Sequence, residues 1–257
     1  MPVITLTTDW GTTDYFVGAL KGDIISVCPE ATIFDISHAI EAYDLVKGAF
    51  IFKNSWHHFP KGTVHVCAVS GTSDKPSPLI ALAHKGHFFI GPDNGFFTLI
   101  YESPSDEAYF ILDARGKKVP VNASVLASSA AYLSKGGKIT EMGEKMTGLV
   151  EKSMLQPVTE ESIIRGTVIY IDSHGNLVTN IQKELFERIA RGREYDIILK
   201  TREYVIAELS TDYYNASRGN MLALYNEAGF LEISISHGNA AGLLGIRYGE
   251  IIRVEFK

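Results

Sequence analysis

Asp9 is the first residue in the chain that could do chemistry. It ends an apolar run, Ile4-Thr5-Leu6-Thr7-Thr8, and is followed by Trp10-Gly11 and a helical pattern from about residue 14. In an open α/β sheet, ligands bind in the crevice beyond the carboxyl ends of the strands. A carboxylate there only accepts hydrogen bonds and can take both hydroxyls of a ribose. Its plainer role is to cap the helix or brace the loop, and this stretch alone favours that role. A second polar loop, Ser70-Gly71-Thr72-Ser73-Asp74-Lys75-Pro76-Ser77-Pro78, leaves the end of another apolar run, Val64 to Val69. Two such loops side by side would form a pocket rim. Gly91-Pro92-Asp93-Asn94-Gly95 reads as a tight turn into a helix starting at Phe96.

The elements that must position these residues follow from periodicity. Phe16, Leu20 and Ile24 recur at four-residue spacing and predict the buried face of a helix over 14–27. Residues 32–36 read as a strand, about 43–56 as a helix, and 64–69 as a strand buried on both faces. Short strands are predicted at 79–83, 87–91 and about 108–113, then a helix at about 122–134 with Leu126, Ala130 and Leu133 on one face. Strands alternating with helices imply an α/β domain with a mainly parallel sheet. The pattern breaks down over 135–163, which reads as a surface linker. Beyond it, segments at 168–171, 195–199, 204–207, 221–224, 231–235 and 251–254 are short, β-rich and separated by turn signals. They predict a small, mostly antiparallel β-barrel or sandwich. The expected domains are 1–160, an α/β domain including the linker, and 161–257, a β-barrel.

Composition narrows the function classes. The 257 residues carry a net charge of −6 and are 46% hydrophobic and 21% charged, which is ordinary for a globular protein. With no Lys/Arg cluster, nucleic acid and anionic membrane surfaces are excluded as main partners. Cys28 and Cys67 lie in apolar segments and read as buried free thiols of a reducing compartment. The chain enters a strand at residue 3 with no basic leader, and no apolar run reaches membrane-span length, so a cytoplasmic location is expected. There is no G-x-G-x-x-G after the first strand, no Walker loop, no zinc spacing among the histidines, and no G-x-S-x-G elbow.

Taken together, the segments resemble one family along nearly the whole chain. Thr7-Thr8-Asp9-Trp10-Gly11 with Asp14, Val17 to Gly22, Phe59 to Val66, and Gly91 to Gly95 carry the likeness in the first half. Ile171-Asp172-Ser173-His174-Gly175-Asn176-Leu177-Val178-Thr179-Asn180-Ile181, Asn226 to Ile233, and Gly238-Asn239-Ala240-Ala241 carry it in the second. The chain resembles the S-adenosylmethionine (SAM) hydroxide adenosyltransferases, relatives of the fluorinating and chlorinating enzymes. That resemblance implies an N-terminal α/β domain, a C-terminal β-barrel, and a homotrimer with ligand sites between subunits. The reaction implied is attack of water at the ribose C5′ of SAM, releasing adenosine and methionine, with SAM as substrate and no metal or further cofactor.

By the same resemblance, Asp9 would take the ribose hydroxyls. Tyr43 would lie by the sugar, Asn176 would meet the adenine edge, and Tyr213 would stand near the base, with Trp10 a further substrate-binding candidate. Asp172 would meet the amino group of the methionine arm, beside Asn226 and Glu227. Glu227 stands where relatives have a serine that receives the substrate carboxylate. Two facing carboxylates cost affinity unless a cation intervenes or Glu227 is protonated. The hydrolytic members' Asp-Arg-His group falls at Ser70, Ser77 and Val121 and is therefore absent as such. Ser70, Asp74 and Lys75 are the candidate catalytic residues, with Lys75 favouring hydroxide character in a bound water; the plainer reading of Asp74-Lys75 is a solvated turn, which base rates on surface charge pairs favour. The alternatives are a nucleoside-binding protein with little or no transferase activity, and a halogenase, for which the 70–78 loop marks no halide site.

Overall fold

The computed structural model describes residues 1–72, 75–101, 107–201 and 203–257. The chain divides into two compact units, Met1–Met154 and Leu155–Lys257.

In the first unit, β1 (Val3–Thr8), α1 (Phe16–Val27), β2 (Thr32–Ser37), α2 (Leu45–Lys53) and β3 (Val64–Ala68) follow in order. Then come the hairpin strands β4 (Leu79–His84) and β5 (His87–Pro92), α3 (Phe96–Ile100), β6 (Glu107–Phe110) and α4 (Ala123–Ser134). Among the described residues, the sheet order is β2-β1-β3-β5-β4-β6. The β2–β1, β1–β3 and β3–β5 pairs are parallel, and β4 is antiparallel to both its neighbours. Thus the sheet is mainly parallel, as its alternating pattern predicts. Helices α1 and α4 pack on one face around Leu20, Ile24, Leu126 and Ala130, and α2 and α3 pack on the other around Phe52, Phe89 and Phe96.

Several boundaries differ from the periodicity. In α1, Val17, Leu20 and Ile24 are buried, while Phe16 turns outward against Tyr15 and Trp10. Helix α2 starts only at Leu45, because Tyr43 is held at φ +70° and Asp44 caps the helix by accepting from Lys47 N. The expected surface linker is partly a sheet edge. The backbones of residues 142–146 bond to Ala108, Phe110 and Leu112 on β6 and just beyond it, which covers the open side of that strand.

The second unit contains β7 (Val158–Thr159), β8 (Ile163–Ile171), β9 (Leu177–Gln182), α5 (Lys183–Ala190), β10 (Tyr195–Leu199) and β11 (Tyr204–Ile206). β12 (Met221–Tyr225), β13 (Phe230–Ile235), α6 (Ala240–Leu244) and β14 (Ile251–Phe256) complete it. The strands run β11-β10-β14-β8-β9-β13-β12, antiparallel throughout, with β7 beside β8. A bridge from Leu209, just past β11, to Ala223 of β12 nearly closes the ring. This is a small barrel around Leu177, Ile197, Leu231, Ile233 and Val254.

A line of buried polar side chains crosses the first unit. Thr5 Oγ1 lies 2.7 Å from His65 Nδ1, and His65 Nε2 lies 3.1 Å from His87 Nδ1. His65 is wholly buried, and that burial, helped by His87, holds its pKa down to about 3. The folded protein therefore keeps His65 neutral, whereas the unfolded chain protonates it near its ordinary value of 6.5. Stability is full above pH 6.5 and falls as pH drops from there towards about 3. The loss is at most about 1.4 kcal/mol per pH unit. Between about pH 7 and about pH 5, His65→Phe is expected to lose about 2 kcal/mol less stability than wild type, measured by urea unfolding. Equal losses would contradict this assignment.

Candidate functional site

The sheet changes direction between β1 and β3, because β2 lies on one side of β1 and the later β3 on the other. This is where open α/β sheets leave a crevice at the carboxyl ends of their strands. Register pairs Thr8 with Ala68, so Asp9 and the start of the 70–78 loop leave the sheet together. The Asp9 carboxylate joins the surrounding loops. Its Oδ2 accepts from Ser70 N at 3.0 Å and from Tyr43 N at 3.2 Å, and its Oδ1 meets Ser70 Oγ at a long 3.4 Å. Asp9 therefore braces loops, as its plainer reading holds. Among the described residues Oδ1 makes that one long contact, which leaves it capacity for a further donor. Tyr43 is 60% exposed and adopts a left-handed backbone, which costs a non-glycine residue about 1–2 kcal/mol. Such strain gathers at functional sites.

The Gly91–Gly95 turn braces the same place from below. A side chain at Gly91 would lie 2.3 Å from Cys67 O, so glycine is what lets β5 pass β3 there. Asn94, buried, donates to Val69 O at 2.9 Å and accepts from Phe96 N at 3.1 Å, bracing the turn into α3 and fixing the residue before Ser70. Elsewhere in this unit, Trp10 is half-buried with its ring against Phe16. Lys75 is exposed, Ser77 half-buried and Val121 exposed. Asp74 lies outside the described residues.

The second unit carries its own concave site, a pocket of about 830 Å³ lined by Asp172, Asn176, Tyr213, Ser234, Ser236 and Asn239, among others. That volume suits a small organic ligand. The turn from β8 to β9 builds one wall. Asp172 Oδ1 accepts from His174 N at 2.9 Å and Asn176 N at 2.8 Å, and its Oδ2 accepts from Asn176 Nδ2 at 2.9 Å. Asn176 is nearly buried and retains a carbonyl oxygen and a second amide hydrogen, the pair that matches an adenine edge. Gly175, at φ +82°, passes so close to Asn239 that a β-carbon would clash with its side chain. Asn239 in turn caps α6 by accepting from Gly242 N at 2.7 Å.

Strand β13 supplies the floor. Leu231, Ile233 and Ile235 face the barrel core, while Glu232, Ser234 and Ser236 alternate on the other face. All three polar residues are buried. Glu232, not singled out from the sequence, is the centre of a network. Its Oε1 accepts from Tyr213 Oη at 2.8 Å and Ser234 Oγ at 3.1 Å, and its Oε2 accepts from Asn226 Nδ2 at 3.2 Å. Burial, that hydrogen bond and the charges of Glu232, Asp172 and Glu227 push the Tyr213 phenol well above its ordinary pKa. Asn226 also brackets the β12–β13 turn by accepting from Ala228 N and Phe230 N, and Glu227 is exposed on that turn. A charged residue at an alternating strand position was the available sign of Glu232, but alternation alone assigns it to solvent.

A mainly parallel sheet with a carboxylate at its switch point, followed by a small barrel with a polar-floored pocket, defines a two-domain small-ligand protein. The chain belongs to the SAM hydroxide adenosyltransferase family: its N-terminal domain model matches residues 4–143 and its C-terminal domain model residues 166–253. A relative from Methanocaldococcus jannaschii, named (R)-S-adenosyl-L-methionine hydrolase, is 30% identical over 99% of this chain and 96% of its own length. A Salinispora arenicola protein of the same name is 27% identical, covering 98% of this chain and 97% of that one. A fluorinase from Actinopolyspora mzabensis is 25% identical over 98% of this chain and 97% of its own. The structure of an uncharacterised conserved protein from Thermotoga maritima superposes with a TM-score of 0.87 at 27% identity, covering 98% of this chain and 99% of that one.

Gly175→Ala tests how tightly the β8–β9 wall is built. The left-handed backbone and the contact with Asn239 are expected to lower stability by at least about 1–2 kcal/mol in urea unfolding. An unchanged midpoint would mean that the turn relaxes freely.

Proposed function

We propose that this protein hydrolyses SAM to adenosine and methionine. The observation that carries the reading is the match of both domains to the family, with a carboxylate at the sheet's switch point where the nucleoside would sit. The water oxygen attacks C5′ opposite sulfur, and the C5′–S bond breaks. Its electron pair returns to sulfur as the neutral thioether of methionine, and a proton leaves the water. Because a sulfonium is already a good leaving group, the protein's task is to align water and substrate and strip their solvation.

In this reading Asp9 holds the ribose hydroxyls, Tyr43 lies against the sugar, and Trp10 belongs to the substrate-binding set. Asn176 reads the adenine edge, Tyr213 stands beside the base, and Asp172, Asn226 and Glu227 surround the methionine arm. Ser70, Asp74 and Lys75 take the place of the missing Asp-Arg-His group. The protein acts as a homotrimer in which the first unit of one subunit and the second unit of a neighbour complete each site. Its location is the cytoplasm, consistent with two buried free thiols. The second reading, a nucleoside-binding protein with little turnover, is favoured by one observation: Ser70 is bonded to Asp9 and supplies no carboxylate of its own.

Incubation with SAM, followed by chromatography, is expected to yield adenosine and methionine in equal amounts. Adenosine binding without product would favour the second reading. Charge-assisted bonds to a ribose are each worth about 1.5–3 kcal/mol, so Asp9→Ala is expected to weaken adenosine at least about tenfold in calorimetry. Equal affinity would remove Asp9 from the site. Light scattering is expected to give about 85 kDa, three times the 28.3 kDa chain, and the monomer mass would contradict the composite site.

A further inference from the structure

We propose that Glu232 is the positioning residue of the second unit's pocket, setting Tyr213 and the pocket floor without touching ligand. Glu232 is 3% exposed on β13, and its two oxygens accept three side-chain hydrogen bonds. The donors come from three separate places. Tyr213 belongs to the long loop between β11 and β12, Asn226 to the β12–β13 turn, and Ser234 to β13 itself.

Burying a carboxyl group is costly unless it is well hydrogen-bonded, and a fully satisfied network rigidifies what it joins. The loop bearing Tyr213 is tied at its ends, by Ser210 N to Ala223 O and by Gly219 N to Ser236 O. Between those ties the Tyr213–Glu232 bond draws the ring onto the barrel wall. Tyr213 and Ser234 both line the pocket, while Glu232 reaches it only through them. An apolar residue at this position would satisfy the barrel at less cost. What the carboxylate adds is the orientation of an aromatic ring that is itself 44% exposed and would otherwise move.

The proposal rests on the nucleoside reading of this pocket. Its test is a double-mutant cycle read by adenosine calorimetry and by KM and kcat for SAM. Tyr213→Phe removes the hydroxyl from a partly exposed position and keeps the ring. Glu232→Gln keeps the shape but places a donor where an acceptor stood. Each variant is expected to raise the adenosine Kd about tenfold, with the loss in SAM turnover appearing in KM rather than in kcat. The double variant is expected to be no more than about twofold worse than the weaker single, because both changes break one bond. Thermal melting identifies a Glu232→Gln protein that does not fold, and Tyr213→Phe alone then decides. Unchanged adenosine affinity in Tyr213→Phe, or effects that multiply in the double variant, would overturn the role of Glu232 and leave the nucleoside reading standing. A wild-type protein that binds no adenosine would overturn both.

Discussion

One carboxylate sits where two parallel strands part, and the first unit is arranged around holding it there. Asp9 leaves the sheet beside Ser70 because β1 and β3 pair in register up to Thr8 and Ala68. Each loop that reaches Asp9 is fixed by something else. Asn94 ties Val69, the left-handed Tyr43 turns its backbone N–H inward, and Gly91 allows β5 to approach closely enough to carry Asn94 into place. Under the proposed function, a ligand hydroxyl arriving at Asp9 would meet an oxygen whose position is already set, which would lower the entropy lost on binding.

The second unit solves a similar problem with the two faces of one strand. β13 commits alternate residues to the barrel core and leaves Glu232, Ser234 and Ser236 on its other face. Those three remain buried, so the opposite face is a floor and not a solvated surface. The β8–β9 turn faces it with Asp172 and Asn176 locked together by two hydrogen bonds, and His174 N donates a third to the same carboxylate. Both units thus use a carboxylate to gather backbone N–H groups and hold a neighbouring polar side chain at a chosen angle.

The α/β order, the buried β3 and the β-rich second half were legible because hydrophobic period and turn chemistry act locally. What escaped was set by side-chain and backbone contacts that hydrophobic period does not encode. Phe16 fits the helical spacing as well as Val17, and its outward turn is decided by stacking with Tyr15 and Trp10. Helix α5 went unread because Leu185, Phe186, Ile189 and Ala190 are spread among charges over only eight residues. The backbone of 142–146 binds the β6 edge, a role that its glycines and charges do not announce. In the site, the place of Asp9 at a strand end was legible from the apolar run before it, whereas Asn176 stood out only through the family resemblance. Glu232 was not, since only the folded barrel shows that three donors converge on it.

The most direct measurement is a crystal structure of the protein with adenosine bound. The ribose hydroxyls are expected within about 2.6–3.0 Å of the Asp9 carboxylate, with the adenine edge on an Asn176 amide. A nucleoside bound elsewhere, with Asp9 still engaged only by Ser70 and Tyr43, would show that this carboxylate braces the loops and does nothing more.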